Sequence, residues 1–114
     1  MHEYGMCDGI VAAVLERAAG RTVRRVRLRI GVQHRVVEDV LHHAFSHCAE
    51  GTMAENACVE LVTVPMRGTC QNCTHTFDAH DILDLCPACG SNRVSLQGGD
   101  ELILESLELE MADA

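Results

Sequence analysis

The sequence "CQNC", from Cys70 to Cys73, and the sequence "CPAC", from Cys86 to Cys89, decide how the chain is organised. Each pair holds two residues between its cysteines, a spacing at which a tight turn directs both sulfur atoms toward one metal ion. Twelve residues separate the two pairs. Four thiolates leave no open position for a substrate water, as is typical of structural zinc. We therefore predict that these four cysteines bind one Zn(II).

Two other uses of these cysteines stay open on residue types alone. A thioredoxin-like redox pair would need a strand–helix–strand context, which the surrounding pattern lacks. His75 and His80 lie between the two pairs. Either could replace a cysteine ligand or adjust the site from outside the coordination shell.

The segments that flank the cysteines have strand patterns. Residues 57–65, "ACVELVTVP", are rich in β-branched residues and end at a proline, which cannot donate to a sheet. Residues 101–110, "ELILESLELE", alternate between leucine and glutamate near their end. The polar, turn-rich stretch 67–98 between them holds the four cysteines. We interpret it as a zinc-ribbon module inserted before the last strand.

The N-terminal half predicts two helices and one strand. Apolar residues recur at helical spacing over residues 7–19 and again over 36–51, and a glycine follows or closes each pattern. Between them, "TVRRVRLRIG" (22–31) alternates apolar residues with arginines. We predict an α+β fold, a small three-stranded sheet with two helices, in which residues 1–66 and 99–114 form one domain and 67–98 the ribbon.

Composition narrows the class of function. The formal net charge is −8, which repels phosphate backbones, so we expect no nucleic-acid partner. No apolar run is long enough to cross a bilayer, and a basic, apolar leader is lacking, so we expect a cytoplasmic protein without a membrane partner. With no Trp, one Tyr and two Phe, the core must be aliphatic. A closed cysteine site with no acid–base pair beside it also predicts that the protein is not an enzyme.

The first three residues offer a second metal site. The Met1 amine, the deprotonated His2 amide and the His2 imidazole Nδ1 can close fused chelate rings, and the Glu3 amide can complete a plane of four nitrogens. Such a plane suits Ni(II) or Cu(II). A two-residue motif is weak, however, and a frayed lead-in with an accidental histidine remains the alternative.

The remaining histidines and cysteines carry weaker signals. His43 and His47 are four residues apart on the second predicted helix, but neither lies on its apolar stripe, so a solvated face is the better interpretation. Cys7, Cys48 and Cys58 are interpreted as small buried hydrophobic residues.

Taken in order, "MHE" at the start, "GTMAENACVELVTVP", the two CxxC pairs with "CPACGS", and the closing "LESLELE" resemble the HypA/HybF family of hydrogenase nickel-incorporation proteins. The resemblance spans essentially the whole chain. It implies a nickel metallochaperone with an α+β nickel-binding domain and a zinc-ribbon domain. By position it implies nickel ligands from Met1, His2 and Glu3, with Ni(II) as transported cargo and Zn(II) as structural ion.

The same resemblance implies partners. These are a GTPase of the HypB type and the immature large subunit of a [NiFe]-hydrogenase, which would receive the nickel. In some relatives delivery also serves urease. The chain departs from the family in "GVQHRVVED" (31–39), where Gln33, His34 and Arg35 replace the small or acidic residues expected. That departure leaves both predicted metal sites unchanged.

A rival function belongs to a different class. A zinc-ribbon interaction module that binds nucleic acid or protein, with an irrelevant N-terminus, would also use the four cysteines. The arginines at positions 25, 27 and 29 keep it open. It predicts salt-sensitive nucleic-acid binding and no effect of changing His2.

Overall fold

A computed structural model of the protein describes residues 2–111 of the 114-residue chain. Its helices and strands follow in the order α1 (His2–Ala18), β1 (Val23–Gly31), a short 3-10 helix (Val32–His34), α2 (Glu38–Ala49), β2 (Cys58–Val64), β3 (Met66–Cys70), β4 (Thr76–Ala79), β5 (Val94–Gln97) and β6 (Leu102–Leu109). One sheet has the strand order β2-β1-β6 and the other β4-β3-β5. The predicted α+β class, with two helices and a small three-stranded sheet closed by the last strand, is confirmed.

By contact, the chain groups into two compact units. The first draws on the described residues within Met1–Arg29, Val36–Val62 and Ile103–Ala114, and the second comprises Ile30–Arg35 and Thr63–Leu102. The first unit holds both helices, and the second holds all four cysteines of the two pairs. Each unit is therefore built from segments that are distant in sequence.

The first unit has a mostly aliphatic core, to which the packed pair α1 and α2 and the strand β1 all contribute buried side chains. Its buried side chains recur at helical spacing on the helices and on alternate positions of the strand. They include Cys7, Ile10, Val11, Val14, Ala18, Val26, Leu28, Leu41, Ala44, Phe45 and Ala49. Among residues 2–111, no helix is long and apolar enough to cross a membrane.

The arginines of β1 face glutamates of the neighbouring strands. Arg27 Nε lies 3.3 Å from Glu105 Oε2, and its guanidinium also lies 3.6 Å from Glu60. Arg25 lies 3.6 Å from Glu108. These exposed pairs contribute little stability individually. They neutralise the basic stripe, which removes the feature that favoured a nucleic-acid partner.

In the second unit, residues 31–34 are hydrogen-bonded to residues 98–101. The Gly31 N–H donates to the Glu101 carbonyl at 2.7 Å, and the Gln33 N–H donates to the Gly99 carbonyl at 2.8 Å. The Gln33 side chain donates through Nε2 to the Gly98 carbonyl, and the His34 ring donates through Nε2 to the Asp100 carbonyl at 2.9 Å. A Cβ at Gly31 would lie 2.0 Å from the Gly99 carbonyl oxygen, so only glycine permits this approach. Two side chains of the "GVQHRVVED" departure, Gln33 and His34, thus hold the chain that leads into β6.

The second sheet lies in the polar, turn-rich stretch 67–98 and begins one residue before it, at Met66. β3 is its central strand and pairs antiparallel with β4 and β5. Gly68 of β3 stands opposite Phe77 of β4, whose ring occupies the space that a Cβ would need. The sequence pattern did not predict these strands because β4 and β5 have four residues each and β3 carries glycine, arginine and cysteine.

We predict that Phe45→Ala destabilises the protein by about 3–5 kcal/mol, because Phe45 is only 1 % exposed and its removal leaves a cavity. Val40→Ala on the same helix is the control, since Val40 is 36 % exposed, and it should cost less than about 1 kcal/mol. Urea unfolding of the zinc-loaded protein, followed by far-ultraviolet circular dichroism, measures both. Equal costs for the two variants would contradict this packing.

Candidate metal centres

The four predicted zinc ligands lie together in the second unit. Their sulfur atoms are all within 4.8 Å of one another. Cys70 Sγ is 3.6 Å from Cys89 Sγ, and Cys73 Sγ is 3.6 Å from Cys86 Sγ. Sulfur atoms at about 2.3 Å from a tetrahedral zinc are about 3.8 Å apart. The cluster therefore fits a structural Zn(II).

Two similar turns position the cysteines. In the first, Thr74 N donates to the Cys70 carbonyl at 3.0 Å, and in the second, Gly90 N donates to the Cys86 carbonyl at 2.8 Å. The residue after each pair has a left-handed backbone, with φ of 65° at Thr74 and 76° at Gly90. A β-branched residue rarely adopts this conformation. The backbone of the first turn is therefore strained at Thr74, whereas the second turn avoids this strain with Gly90.

Backbone and side-chain N–H groups surround the sulfur atoms. The N–H groups of Cys73 and Asn72 point at Cys70 Sγ and hold the pKa of that thiol down to about 6. The N–H of Ser91 and the Asn72 side chain lower the pKa of Cys89. The His75 N–H acts in the same direction on Cys73, but burial and the neighbouring thiols outweigh it and raise that pKa to about 12. Four thiolates this close together repel one another, so a bound divalent cation would stabilise the cluster.

The two histidines between the pairs do not join the sulfur cluster. The His75 ring is stacked on Phe77 with centroids 6.1 Å apart. His80 is exposed, and its backbone N–H donates to Asp84. Neither histidine belongs to the group of metal-ligating atoms found among residues 2–111. The cysteines are thus the better candidates for all four ligands.

The predicted nickel ligands lie at the start of the first unit. Met1 is outside the described residues. His2 is the first residue of α1, and its side chain is 53 % exposed. The first four N–H groups of a helix have no acceptor within the helix. The His2 and Glu3 amides therefore stand where a metal can replace an amide proton without breaking a helical hydrogen bond.

The Glu3 side chain is buried, with only 3 % of its surface exposed. Its Oε2 accepts the N–H of Val37 at 3.1 Å, and its Oε1 lies 3.4 Å from His2 Nδ1. The Val37 N–H, its own N–H and the nearby His2 lower its pKa to about 2 against the effect of burial. Val37 precedes α2, which has no capping side chain. The Glu3 carboxylate thus stabilises the positive N-terminal ends of both α1 and α2.

The other histidines and thiols are dispersed. His43 and His47 are exposed, and the His47 ring meets Tyr4 edge-on with centroids 5.8 Å apart. Cys7 is buried, which raises the pKa of its thiol to about 11, whereas Cys58 is exposed, contrary to the prediction for that residue. None of these side chains belongs to a metal-ligating cluster within residues 2–111.

Sequence reasoning missed two supporting contacts. Asn72 Nδ2 lies 3.6 Å from Cys89 Sγ, a contact that joins the first turn to the second pair. Glu3 was predicted as a ligand through its backbone amide, whereas the structure shows that its carboxylate accepts the Val37 N–H. An acidic residue in the first turn of a predicted helix is a sequence signal that its carboxylate stabilises the helix N-terminus. No sequence signal specifies that Val37 is its partner.

Comparison with known proteins gives consistent results. Residues 1–109 match the family model described as HypA, hydrogenase/urease nickel incorporation, metallochaperone. The chain is 37 % identical over 110 residues to the hydrogenase maturation factor HypA of Geobacter sulfurreducens, which covers 96 % of this chain and 100 % of that one. The same factor from Rhodobacter capsulatus is 38 % identical over 112 residues, covering 96 % and 99 %.

Solved structures agree with this result. The solution structure of the Ni metallochaperone HypA from Helicobacter pylori is similar with a TM-score of 0.61 and 25 % identity, over 94 % of this chain and 96 % of that one. A second solution structure, of a HypA protein, has a TM-score of 0.63 and 26 % identity, over 96 % and 97 %.

We predict that Cys86→Ala loses its stoichiometric zinc and unfolds the second unit, because three thiolates no longer close the tetrahedron. Cys58→Ala is the matched control, since Cys58 is exposed and outside the cluster. Zinc content by mass spectrometry and far-ultraviolet circular dichroism measure the outcome. Most of the helical signal should survive in Cys86→Ala, because both helices belong to the first unit, and its complete loss would contradict this division of the chain.

We predict that Glu3→Gln lowers stability at neutral pH, because the amide keeps an acceptor for Val37 but removes the charge at two helix ends. The folded pKa of Glu3 is about 2, below the ordinary 4.5. Its stabilisation is therefore complete above the ordinary value and lost as pH falls toward the folded one. Thermal unfolding at several pH values should show the wild-type advantage shrinking between pH 4.5 and 2, and a constant advantage would contradict the assignment.

Proposed function

We propose, because the chain belongs to the HypA family of hydrogenase/urease nickel-incorporation metallochaperones, that it captures Ni(II) at its N-terminus and delivers it to the immature large subunit of a [NiFe]-hydrogenase. A GTPase of the HypB type takes part in this delivery. The chain acts in the cytoplasm as a carrier and not as an enzyme. Nickel is its cargo, and zinc is its resident structural ion.

One observation carries the proposal. At the start of α1 the His2 side chain is 53 % exposed, and the His2 and Glu3 amides have no acceptor within the helix, while the buried Glu3 carboxylate accepts the N–H of Val37. The ligand atoms of residues 2 and 3 are thereby ordered before a metal arrives. Ordering in advance reduces the conformational entropy that nickel binding must overcome.

The proposed nickel ligands are the Met1 amine, the amide and imidazole Nδ1 of His2, and the amide of Glu3. Four nitrogens in a plane suit Ni(II). Nδ1 now lies 3.4 Å from Glu3 Oε1, so nickel binding exchanges this contact for a metal bond. The carboxylate then remains beside the site and orients the histidine from outside the coordination shell.

The proposed zinc ligands are Cys70, Cys73, Cys86 and Cys89. Zinc bound there supplies folding energy to a unit with few buried side chains, and its closed coordination shell offers no position for substrate. The domain division that we propose follows function: residues 1–66 and 99–114 carry nickel, and 67–98 carry zinc.

Release of nickel to the acceptor follows from the same chemistry. Nitrogen ligands at a chain terminus can be replaced one at a time when the acceptor offers its own ligands. Copper(II) should bind the same nitrogens more tightly than nickel, by the Irving–Williams order. Selectivity therefore rests on which metal is available and on docking to the partner, not on affinity alone.

The experiment is a nickel titration by calorimetry and visible absorption on three tag-free, zinc-loaded proteins. These are the wild type, His2→Ala, and a chain with Gly-Ser placed before Met1. We predict that both changes abolish the tight site and its square-planar absorption band while zinc stays bound, because each removes a ligand from the terminal chelate. His43→Ala is the control and should bind nickel like the wild type.

Equal nickel binding by all the variants would overturn the terminal site. It would direct attention to the exposed His43 and His47 and to the histidines of the second unit. Salt-sensitive binding of DNA or RNA would instead favour the zinc-ribbon interaction module. The pairing of Arg25 and Arg27 with glutamates argues against that outcome.

A further inference from the structure

The second unit carries an exposed apolar turn between the two cysteine pairs. In this turn, the apolar tip (residues 80–85), Leu83 is 81 % exposed, Ile82 60 % and Leu85 55 %. Turn apices ordinarily carry glycine, proline, asparagine or serine. Three large aliphatic side chains within four positions on the surface are a feature that marks interaction sites.

The tip is held rigidly at both of its ends. It follows the buried Ala79 of β4 and precedes the buried Cys86 of the sulfur cluster. Within it, Asp84 N donates to the Asp81 carbonyl at 3.1 Å, which makes Ile82 and Leu83 the two central residues of a β-turn. Its backbone is therefore held in one conformation, so that only the side chains have to be ordered on binding.

Two carboxylates build this turn and give it charge. Asp81 Oδ1 accepts the Leu83 N–H at 2.9 Å, and Asp84 Oδ2 accepts the His80 N–H at 2.9 Å. Among the ion pairs found within residues 2–111, none includes Asp81 or Asp84. The leucines are thus bordered by two negative charges that no cation of the described chain neutralises.

We propose, on the basis of the proposed function, that the apolar tip docks a partner protein of nickel delivery whose surface offers an apolar pocket bordered by lysine or arginine. Leu83 enters the pocket, and Asp81 and Asp84 face its cationic rim. A second copy of this chain fits less well, because two tips would bring four carboxylates together and each chain has a net charge of −8. An anionic membrane is repelled for the same reason.

This surface is separate from the proposed nickel ligands in sequence and in contact unit. A partner held there would be tethered to the carrier while nickel is exchanged at the N-terminus. Holding two proteins together raises the effective concentration of acceptor ligands near the metal. The tip would thereby set which protein receives the nickel without touching the metal.

The test measures binding of the full zinc-loaded chain to the two proposed partners, each purified free of nickel: the HypB-type GTPase and the immature large subunit. Leu83→Asp should weaken binding to one of them by roughly tenfold or more, because the pocket loses its apolar occupant and gains a buried charge. Asn92→Asp adds the same charge at an exposed site of the same unit and should bind like the wild type.

A second variant tests the charge. Asp81→Asn keeps an oxygen that can accept the Leu83 N–H and removes one negative charge. It should slow association with the same partner and reduce the salt dependence of the association rate. Zinc content, the melting temperature and nickel binding of all three variants should match the wild type, because Leu83 and Asp81 are exposed and outside both metal sites.

The outcomes separate this inference from the proposed function. Unchanged binding of Leu83→Asp to both partners, or equal salt dependence in Asp81→Asn, overturns the docking tip and leaves nickel delivery standing. A Leu83-dependent dimer in light scattering overturns it in favour of self-association. If the wild type binds neither partner, docking at the apolar tip and the proposed partners are both wrong. The nickel titration still tests whether the N-terminus binds nickel.

Discussion

The buried carboxylate of Glu3 is the constraint on which the proposed nickel site depends. It accepts the Val37 N–H at 3.1 Å and thereby ties the first turn of α1 to the residue before α2. Without this contact, the first residues would fray like most chain ends. With it, the helix begins at His2, and two amides with no helical acceptor are fixed beside an exposed imidazole. The negative charge is favourable at both helix N-termini, so the contact stabilises the fold and the site together.

The second unit is held together by a different means. Its buried apolar residues are few, among them Met66, Cys70, Ala79 and Cys86, and two of these four are proposed zinc ligands. A unit of this size rarely obtains enough free energy from its core alone, and a structural metal supplies the difference. The sulfur spacing of 3.6 Å in two pairs fits that use. The rigidity that zinc gives to Cys86 also holds the tip that we propose as a docking site.

The sequence predicted those features whose pattern, a periodicity or a ligand spacing, is contained in one short segment. The alternation in β1 and β6, the apolar stripe of α2 and the four cysteines each carry their signal within a few residues. The family resemblance, which rests on residues 1–3, 51–65 and 104–110 and on the two cysteine pairs, is confirmed. The hydrogen bonds from Gln33 and His34 to residues 98–100 were not predictable, because they join segments more than sixty residues apart. The strands β3, β4 and β5 were missed because their few residues are largely polar and pair only with one another.

The most direct test of the account is nickel X-ray absorption on the tag-free, zinc-loaded chain with one equivalent of Ni(II). If the terminus is the chelate, the spectrum should show a planar shell of four nitrogen ligands, with imidazole scattering and no sulfur. The same planar shell should be lost in His2→Ala. Sulfur in the nickel shell of the wild type would place the metal at the cysteine cluster. It would contradict the assignment of nickel to the first helix and of zinc alone to the four thiolates.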